Sequence, residues 1–281
     1  MPTDKARTGP PAAVLRREFL QLSAATVATA VSAEALSAPE IGSLTKQKTQ
    51  KTVCVLGASG HVGNAILRQL LTDGHRVVAI SRSADKLRRI QSDHSGETGL
   101  ETLMGDVSSD TVAEQLRMAI MTRFGRPHAI VSSLSSPAAD APMRVQDTPT
   151  DKLRAAFETN FFSHVTAAVA LLPALQPGGT YIGISGGLSD FVVPAMGAIS
   201  MTQSALRTFY SVVAQEAQEG KGATPQVRML ALYGLVAVDE SAAKDDGWIM
   251  GRQIGVRVSE IIARPAAFPG PLLSIKAKRY S

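Results

Sequence analysis

Two hydrophobic patterns run along this chain, one weak and one strong. The weak one comes first: Leu20 to Val31 is an Ala-rich, mildly apolar run, too short to span a bilayer, which takes about 20 apolar residues. A polar stretch from Pro39 to Lys51, carrying Lys46, Lys48 and Lys51, follows and reads as a linker. The strong pattern begins at Thr52. "TVCVL" is a short, largely β-branched apolar run and predicts a buried strand. After "GASGHVG" comes an amphipathic stretch ending in "TDGHR", where Gly74 suits a helix C-cap. "RVVAI" is a second apolar run. Residues 52–80 therefore predict strand, Gly turn, helix and strand, one βαβ unit.

Composition narrows the class. The chain has 281 residues, with 44% hydrophobic, 19% charged and 5% aromatic. That describes one globular α/β domain of ordinary size and excludes disordered and fibrous classes. Net charge is +5, but no Lys/Arg run interleaves with aromatics, which argues against a nucleic-acid partner. The one cysteine, Cys54, lies inside an apolar run and reads as a buried small hydrophobe. His, Cys, Asp and Glu show no metal-ligand spacing, so no metal is expected, and there is no G-x-S-x-G elbow.

The first residues resemble a twin-arginine export signal. Arg16 and Arg17 are followed by Glu18, Phe19 and Leu20, which fits R-R-x-F-L, although Leu15 stands where Ser or Thr is usual. Small-residue patterns end at Ala33 ("VSA") and Ala35 ("AEA"). The expectation is a signal over 1–35, a linker over 36–51 and a folded domain over 52–281. The mature protein would be periplasmic, with no membrane span. The twin-arginine route carries folded proteins, often with a cofactor loaded.

Gly57, Gly60 and Gly63 form G-x-x-G-x-x-G between the first strand and the helix. Gly57 permits the tight turn, Gly60 lets backbone N–H groups approach a pyrophosphate, and Gly63 lets helix and sheet pack closely. The helix N-terminus then faces the phosphates with its partial positive charge. Gly57, Ser59, Gly60, His61, Val62 and Gly63 are the candidate contacts. At the end of the second strand an NAD site usually has Asp or Glu. Here the sequence is Ile80, Ser81, Arg82, Ser83. Arg82 can pair with a 2′-phosphate, and Ser81 and Ser83 can hydrogen-bond it. The expected nucleotide is NADP rather than NAD.

From about Thr52 to Ile275 the chain resembles the short-chain dehydrogenase/reductase family. "MGDVSSD" follows the third strand, and Asp106 and Val107 match the family's adenine-contacting pair. In "HAIVSSLSSP", the fourth strand, Ser132 and Ser133 stand where the family often has Asn-Asn. "FETNFFSHVTAAVALLPAL" matches the long fourth helix, and Asn160 falls on the family's structural and catalytic Asn. "GGTYIGIS" is the fifth strand, "PAMGAISMTQSALRTFYSVVAQEA" the long fifth helix, "VRMLALYG" the sixth strand and "GPLLSI" a short seventh. The alternation implies a single Rossmann-fold domain, a doubly wound parallel sheet of about seven strands with helices on both faces. By the same resemblance, helices over 151–173 and 196–219 would form the surface of a homodimer or homotetramer.

Departures from the family pattern matter as much. Counting from Pro194 and Ala205-Leu206, Ile199 stands in the usual Tyr place and Gln203 in the usual Lys place. Gly186 takes the Ser place, with Ser185 beside it. Ile199 cannot donate a proton; Gln203 can hydrogen-bond the ribose but brings no charge. The Gly spacing, with His61 inside it, is closer to an atypical branch that includes redox-sensing regulators. Tyr233, at the end of the sixth strand, and Asp190, beside Ser189 in the loop after the fifth, are the candidate replacement donors. His164 shares a helix face with Asn160 and reads first as a packed residue. Tyr181 reads as structural, and Tyr210 as too distant. Residues 236–250 match the family's substrate-covering loop. There Trp248 and Met250 can close over an apolar ligand, or Asp245 or Asp246 can cap a helix.

Several functions stay open. One is an NADP-dependent oxidoreductase acting on a small carbonyl or quinone-like compound by a rearranged mechanism. Another is a non-catalytic dinucleotide-binding sensor or partner protein. A third is a non-redox lyase or isomerase on the same fold.

Overall fold

The computed structural model describes residues 50–135, 142–220, 224–237 and 241–281. The expected export signal, and the expected linker up to residue 49, lie outside the described residues. Lys51 does not behave as linker: its carbonyl accepts from Arg76 N–H at 2.9 Å and its ammonium reaches the Ile262 carbonyl.

The chain runs β1 (Thr52–Leu56), α1 (His61–Thr72), β2 (Arg76–Ser81), α2 (Ala84–Asp93), β3 (Leu100–Met104), α3 (Asp110–Phe124) and β4 (Ala129–Ser132). Then come α4 (Thr150–Phe157), a π-turn (Glu158–Phe162), α5 (Ser163–Leu171), β5 (Thr180–Gly186), a short 3-10 turn (Gly187–Ser189) and α6 (Gly197–Glu219). The chain continues with β6 (Gln226–Tyr233), β7 (Leu235–Ala237), β8 (Trp248–Met250), α7 (Gly251–Ala263) and β9 (Leu272–Lys276).

The main sheet has seven strands in the order β3-β2-β1-β4-β5-β6-β9. Every pair in it is parallel. Strand alternation divides the core in two. Val53 and Val55 point to one face, where α1 and α7 bring Ile66, Leu70, Ile254 and Val258. Cys54 and Leu56 point to the other, against Leu116, Ile120, Leu171 and Leu206 from α3, α5 and α6. With helices on both faces, strands read as continuous apolar runs, which is why "TVCVL" and "RVVAI" do not alternate. Burial pushes the Cys54 thiol up to about 12, which leaves it inert.

The region after β6 departs from expectation. It forms a second, two-stranded parallel pair, with Leu235 opposite Trp248 and Ala237 opposite Met250. Neither Asp245 nor Asp246 caps a helix: α7 begins at Gly251, capped at Met250. The Asp245 carboxylate accepts from Gly247 N–H at 2.8 Å, and Arg279 meets Asp246 at 2.8 Å. Two adjacent carboxylates are here held by a cation from the end of the chain, which a local cap signal cannot reveal.

Candidate functional site

Strand order reverses between β1 and β4. In an open parallel sheet the crevice outside the carboxyl ends at such a point is where ligands bind. The turn after β1 lies there. Gly57 has φ +73°, a backbone that L side chains rarely adopt. A Cβ on it would also sit 2.1 Å from the Ser133 carbonyl oxygen. A Cβ on Gly63 would sit 2.2 Å from the Gly57 oxygen, so α1 is packed directly on the turn. Gly60 differs. It caps α1 with an extended backbone and no side-chain hydrogen bond, and a Cβ there would meet only the Gly57 oxygen, at 3.4 Å. The first N–H groups of α1 are thus open to an outside acceptor, a cradle that fits a pyrophosphate. His61 is exposed beside it, while Val62 packs its side chain against the core.

The end of β2 closes the adenine-ribose side. Ser59 Oγ lies 3.3 Å from Ser81 Oγ, tying the glycine turn to β2. Ser83 caps α2, its Oγ accepting from Lys86 N–H at 3.3 Å. Arg82 is 74% exposed, its Nε 3.9 Å from Asp106 Oδ1. Asp106 also accepts from Val107 N–H at 2.8 Å, and the Val107 side chain is buried in the core. The structure therefore brings Ser59, Ser81, Arg82, Ser83 and Asp106 into one neighbourhood. Among these the one cationic side chain is Arg82, loosely paired with Asp106, and Val107 can offer only its backbone.

Ser132, expected among the cofactor contacts, is corrected. It is fully buried, with Oγ 3.3 Å from His164 Nδ1. Ser133 is half-buried; its N–H donates to the Leu56 carbonyl at 3.1 Å and its own carbonyl abuts Gly57.

At the ends of β5 and β6 a polar chain forms. The Tyr233 hydroxyl donates to Asp190 Oδ2, so the residues expected as separate donors are partners. Arg207 of α6 pairs with Asp190 at 2.8 Å. The Tyr233 ring packs on Gly187, where a Cβ would lie 2.7 Å from it, and Lys276 Nζ sits 5.8 Å from the ring centre. Sequence reasoning missed Arg207 and Lys276. Arg207 stands one helical turn beyond Gln203 on α6, and Lys276 is opposite Tyr233 in the β6–β9 register.

Gln203 folds back on the same turn. Its Oε1 accepts from Leu188 N–H at 2.9 Å, and its Nε2 would be 2.3 Å from a Cβ on Gly186. Ile199 is half-buried one turn earlier on α6, and Asn160 is buried in the π-turn. Trp248 and Met250 are half-buried, on the opposite face of β8 from buried Ile249. His164, Tyr181 and Tyr210 are fully buried, as packed residues. Burial pushes the His164 imidazole down to about 4. Among the described residues no helix is long and apolar enough to cross a membrane.

Known proteins share this fold. A family model described as short chain dehydrogenase matches residues 51–233. The short-chain dehydrogenase/reductase iacG of Pestalotiopsis fici is 27% identical over 208 residues, 72% of this chain and 80% of that one. The NADPH-dependent pterin aldehyde reductase of Arabidopsis thaliana is 23% identical over 187 residues, 66% of this chain and 76% of that one. Among solved structures, the alcohol dehydrogenase from the archaeon Thermococcus sibiricus, complexed with 5-hydroxy-NADP, is similar in fold. Its TM-score is 0.68 at 21% identity, covering 83% of this chain and 98% of that one.

Proposed function

The chain belongs to the short-chain dehydrogenase family, and from that membership we propose that it is an NADP-dependent reductase of small carbonyl or quinone-like compounds whose proton donor is Tyr233. The observation that carries this reading is the Tyr233–Asp190 hydrogen bond at the carboxyl edge of the sheet, with Arg207 on the far side of Asp190.

NADP is supported by Arg82 at the end of β2, by the absence of a carboxylate at 80–83 and by the nucleotides in two of the names above. Gly57, Ser59, Gly60, His61 and Gly63 would hold the pyrophosphate, Ser81, Arg82 and Ser83 the 2′-phosphate, and Asp106 with the Val107 backbone the adenine. NADPH, when bound, would supply the hydride for the carbonyl carbon. Tyr233 would give its hydroxyl proton to the carbonyl oxygen, and water would reprotonate the phenolate that remains. In the structure the hydroxyl hydrogen of Tyr233 is given to Asp190, so it would swing from that carboxylate to the carbonyl oxygen when substrate binds. A carboxylate alone would oppose a phenolate beside it. Arg207 offsets that charge, and Lys276 over the ring face favours the anion. Ile199 then serves as a dry wall rather than a failed donor. Tyr233→Phe should lower NADPH oxidation with small ketones and quinones by about 10²-fold, the usual worth of general acid catalysis, and leave NADPH affinity unchanged. An unchanged rate removes Tyr233 from the mechanism.

A second reading, a nucleotide-binding protein without turnover, is favoured by Gln203. Its amide fills the space beside Gly186 where the family's Ser would stand. NADPH binding with no oxidation by the parent protein across the same panel would select it.

A further inference from the structure

His164 has no place in the proton path, yet it is buried with three polar partners. It lies on α5 with no exposed surface. Its Nε2 is 2.8 Å from the Leu134 carbonyl, which can only accept, so Nε2 carries the hydrogen and Nδ1 is the acceptor. The Tyr210 hydroxyl of α6 donates to Nδ1 at 2.8 Å, with Ser132 Oγ 3.3 Å from the same nitrogen. Space for the phenol comes from β5: a Cβ on Gly183 would lie 2.2 Å from the Tyr210 ring. A buried histidine and a buried tyrosine each carry a desolvation cost that leucine and phenylalanine would avoid. Packing alone does not call for them.

What the pair joins is the site. Leu134 follows Ser133, whose N–H donates to Leu56 at the end of β1 and whose carbonyl is stacked on Gly57. At the other end, α6 carries Gln203 and Arg207, which hold Leu188 and Asp190. The chain Tyr210–His164–Leu134 thus runs from the wall that bears Tyr233's partners to the wall that bears the glycine turn.

We propose that His164 is a positioning residue: with Tyr210 it ties α6 to the exit of β4 and so sets the width of the nucleotide cleft between them. The inference rests on the nucleotide-binding reading for its consequence, and on hydrogen bonds alone for the tie itself.

The test uses the full chain carrying Tyr210→Phe, which removes a single oxygen, and His164→Leu, which removes both bonds. His164→Gln keeps a donor for the Leu134 carbonyl. NADPH affinity, measured by fluorescence titration well below the melting temperature, should fall on the order of tenfold in Tyr210→Phe, the worth of one hydrogen bond. It should fall further in His164→Leu and recover in part in His164→Gln. Melting temperatures that drop while NADPH affinity stays at the parent value would reduce the pair to packing and overturn the proposal. If His164→Leu fails to fold, Tyr210→Phe and His164→Gln decide alone. Amide hydrogen exchange without nucleotide separates this idea from the functional reading. Tyr210→Phe should speed exchange at Ser133 and Gly60 and leave β2 and β3 unchanged. A parent that binds no nucleotide defeats the functional reading alone, whereas unaltered exchange at those two amides defeats the tie.

Discussion

Arg82 shows what one residue can settle and how strongly. Its side chain is 74% exposed and stands 3.9 Å from Asp106, a loose, water-screened pair that a 2′-phosphate can replace. NADPH should bind more tightly than NADH, and Arg82→Ala should cost about tenfold in NADPH affinity while NADH is unaffected, the low end for a charged hydrogen bond because the site is open to water. Titration of both nucleotides checks it, and equal affinities in the parent would sink the NADP assignment. The serines around Arg82 illustrate the limit of reading residue types. Ser81, Ser83 and Ser132 look equivalent in sequence. In the fold Ser81 faces the glycine turn, Ser83 also caps α2, and Ser132 is inside.

Helix α6 carries two of the changes that separate this chain from the family pattern, and the third, Gly186, ends β5. Ile199 and Gln203 lie one turn apart on it, and Gln203 holds the 187–189 turn on which Tyr233 rests. Gly186→Ser by itself puts a Cβ against the Gln203 amide. The triple change Ile199→Tyr, Gln203→Lys, Gly186→Ser relieves that clash, yet it also releases Leu188 N–H. The expected outcome is therefore no new reductase activity and a disturbed Tyr233. NADPH oxidation against small ketones and quinones, parent beside variant, is the assay. A gain on the order of 10²-fold would mean that only the donor was missing. The pattern of the helix was legible, since apolar spacing depends on residues a few positions apart. The use of its polar face was not. Arg207 meets Asp190 only because α6 packs against the turn that follows β5.

For the whole molecule, His164 couples stability to acid. It is neutral in the fold, with its pKa pushed down to about 4 from 6.5 by burial. Above pH 6.5 neither folded nor unfolded chain holds a proton there. As pH falls from 6.5 toward 4 the unfolded chain takes up a proton that the folded chain refuses, so stability falls. Below about 4 the loss is complete, at an upper limit of about 3 kcal/mol. Urea melts between pH 7 and 4 should show this slope in the parent and a shallower one in His164→Gln; equal slopes would contradict it. Export is proposed from Arg16 and Arg17. Replacing both with lysine should leave the protein in the cytoplasm with its N-terminus uncut, as read by fractionation and N-terminal sequencing. An unchanged location would refute the signal.

By itself the sequence determined the doubly wound sheet, the glycine turn and the basic end of β2. Each of these depends on backbone conformation or burial period within a few residues, which the order of residues states directly. The tertiary structure alone decided that Tyr233 and Asp190, 43 positions apart, share a hydrogen bond, that Arg207 and Lys276 stand beside them, and that β7 pairs with β8. It alone also placed His164 between Leu134 and Tyr210. Those meetings depend on strand order, register and the space left by Gly183 and Gly187. No local pattern encodes such quantities, because they are sums over the packing of the entire sheet.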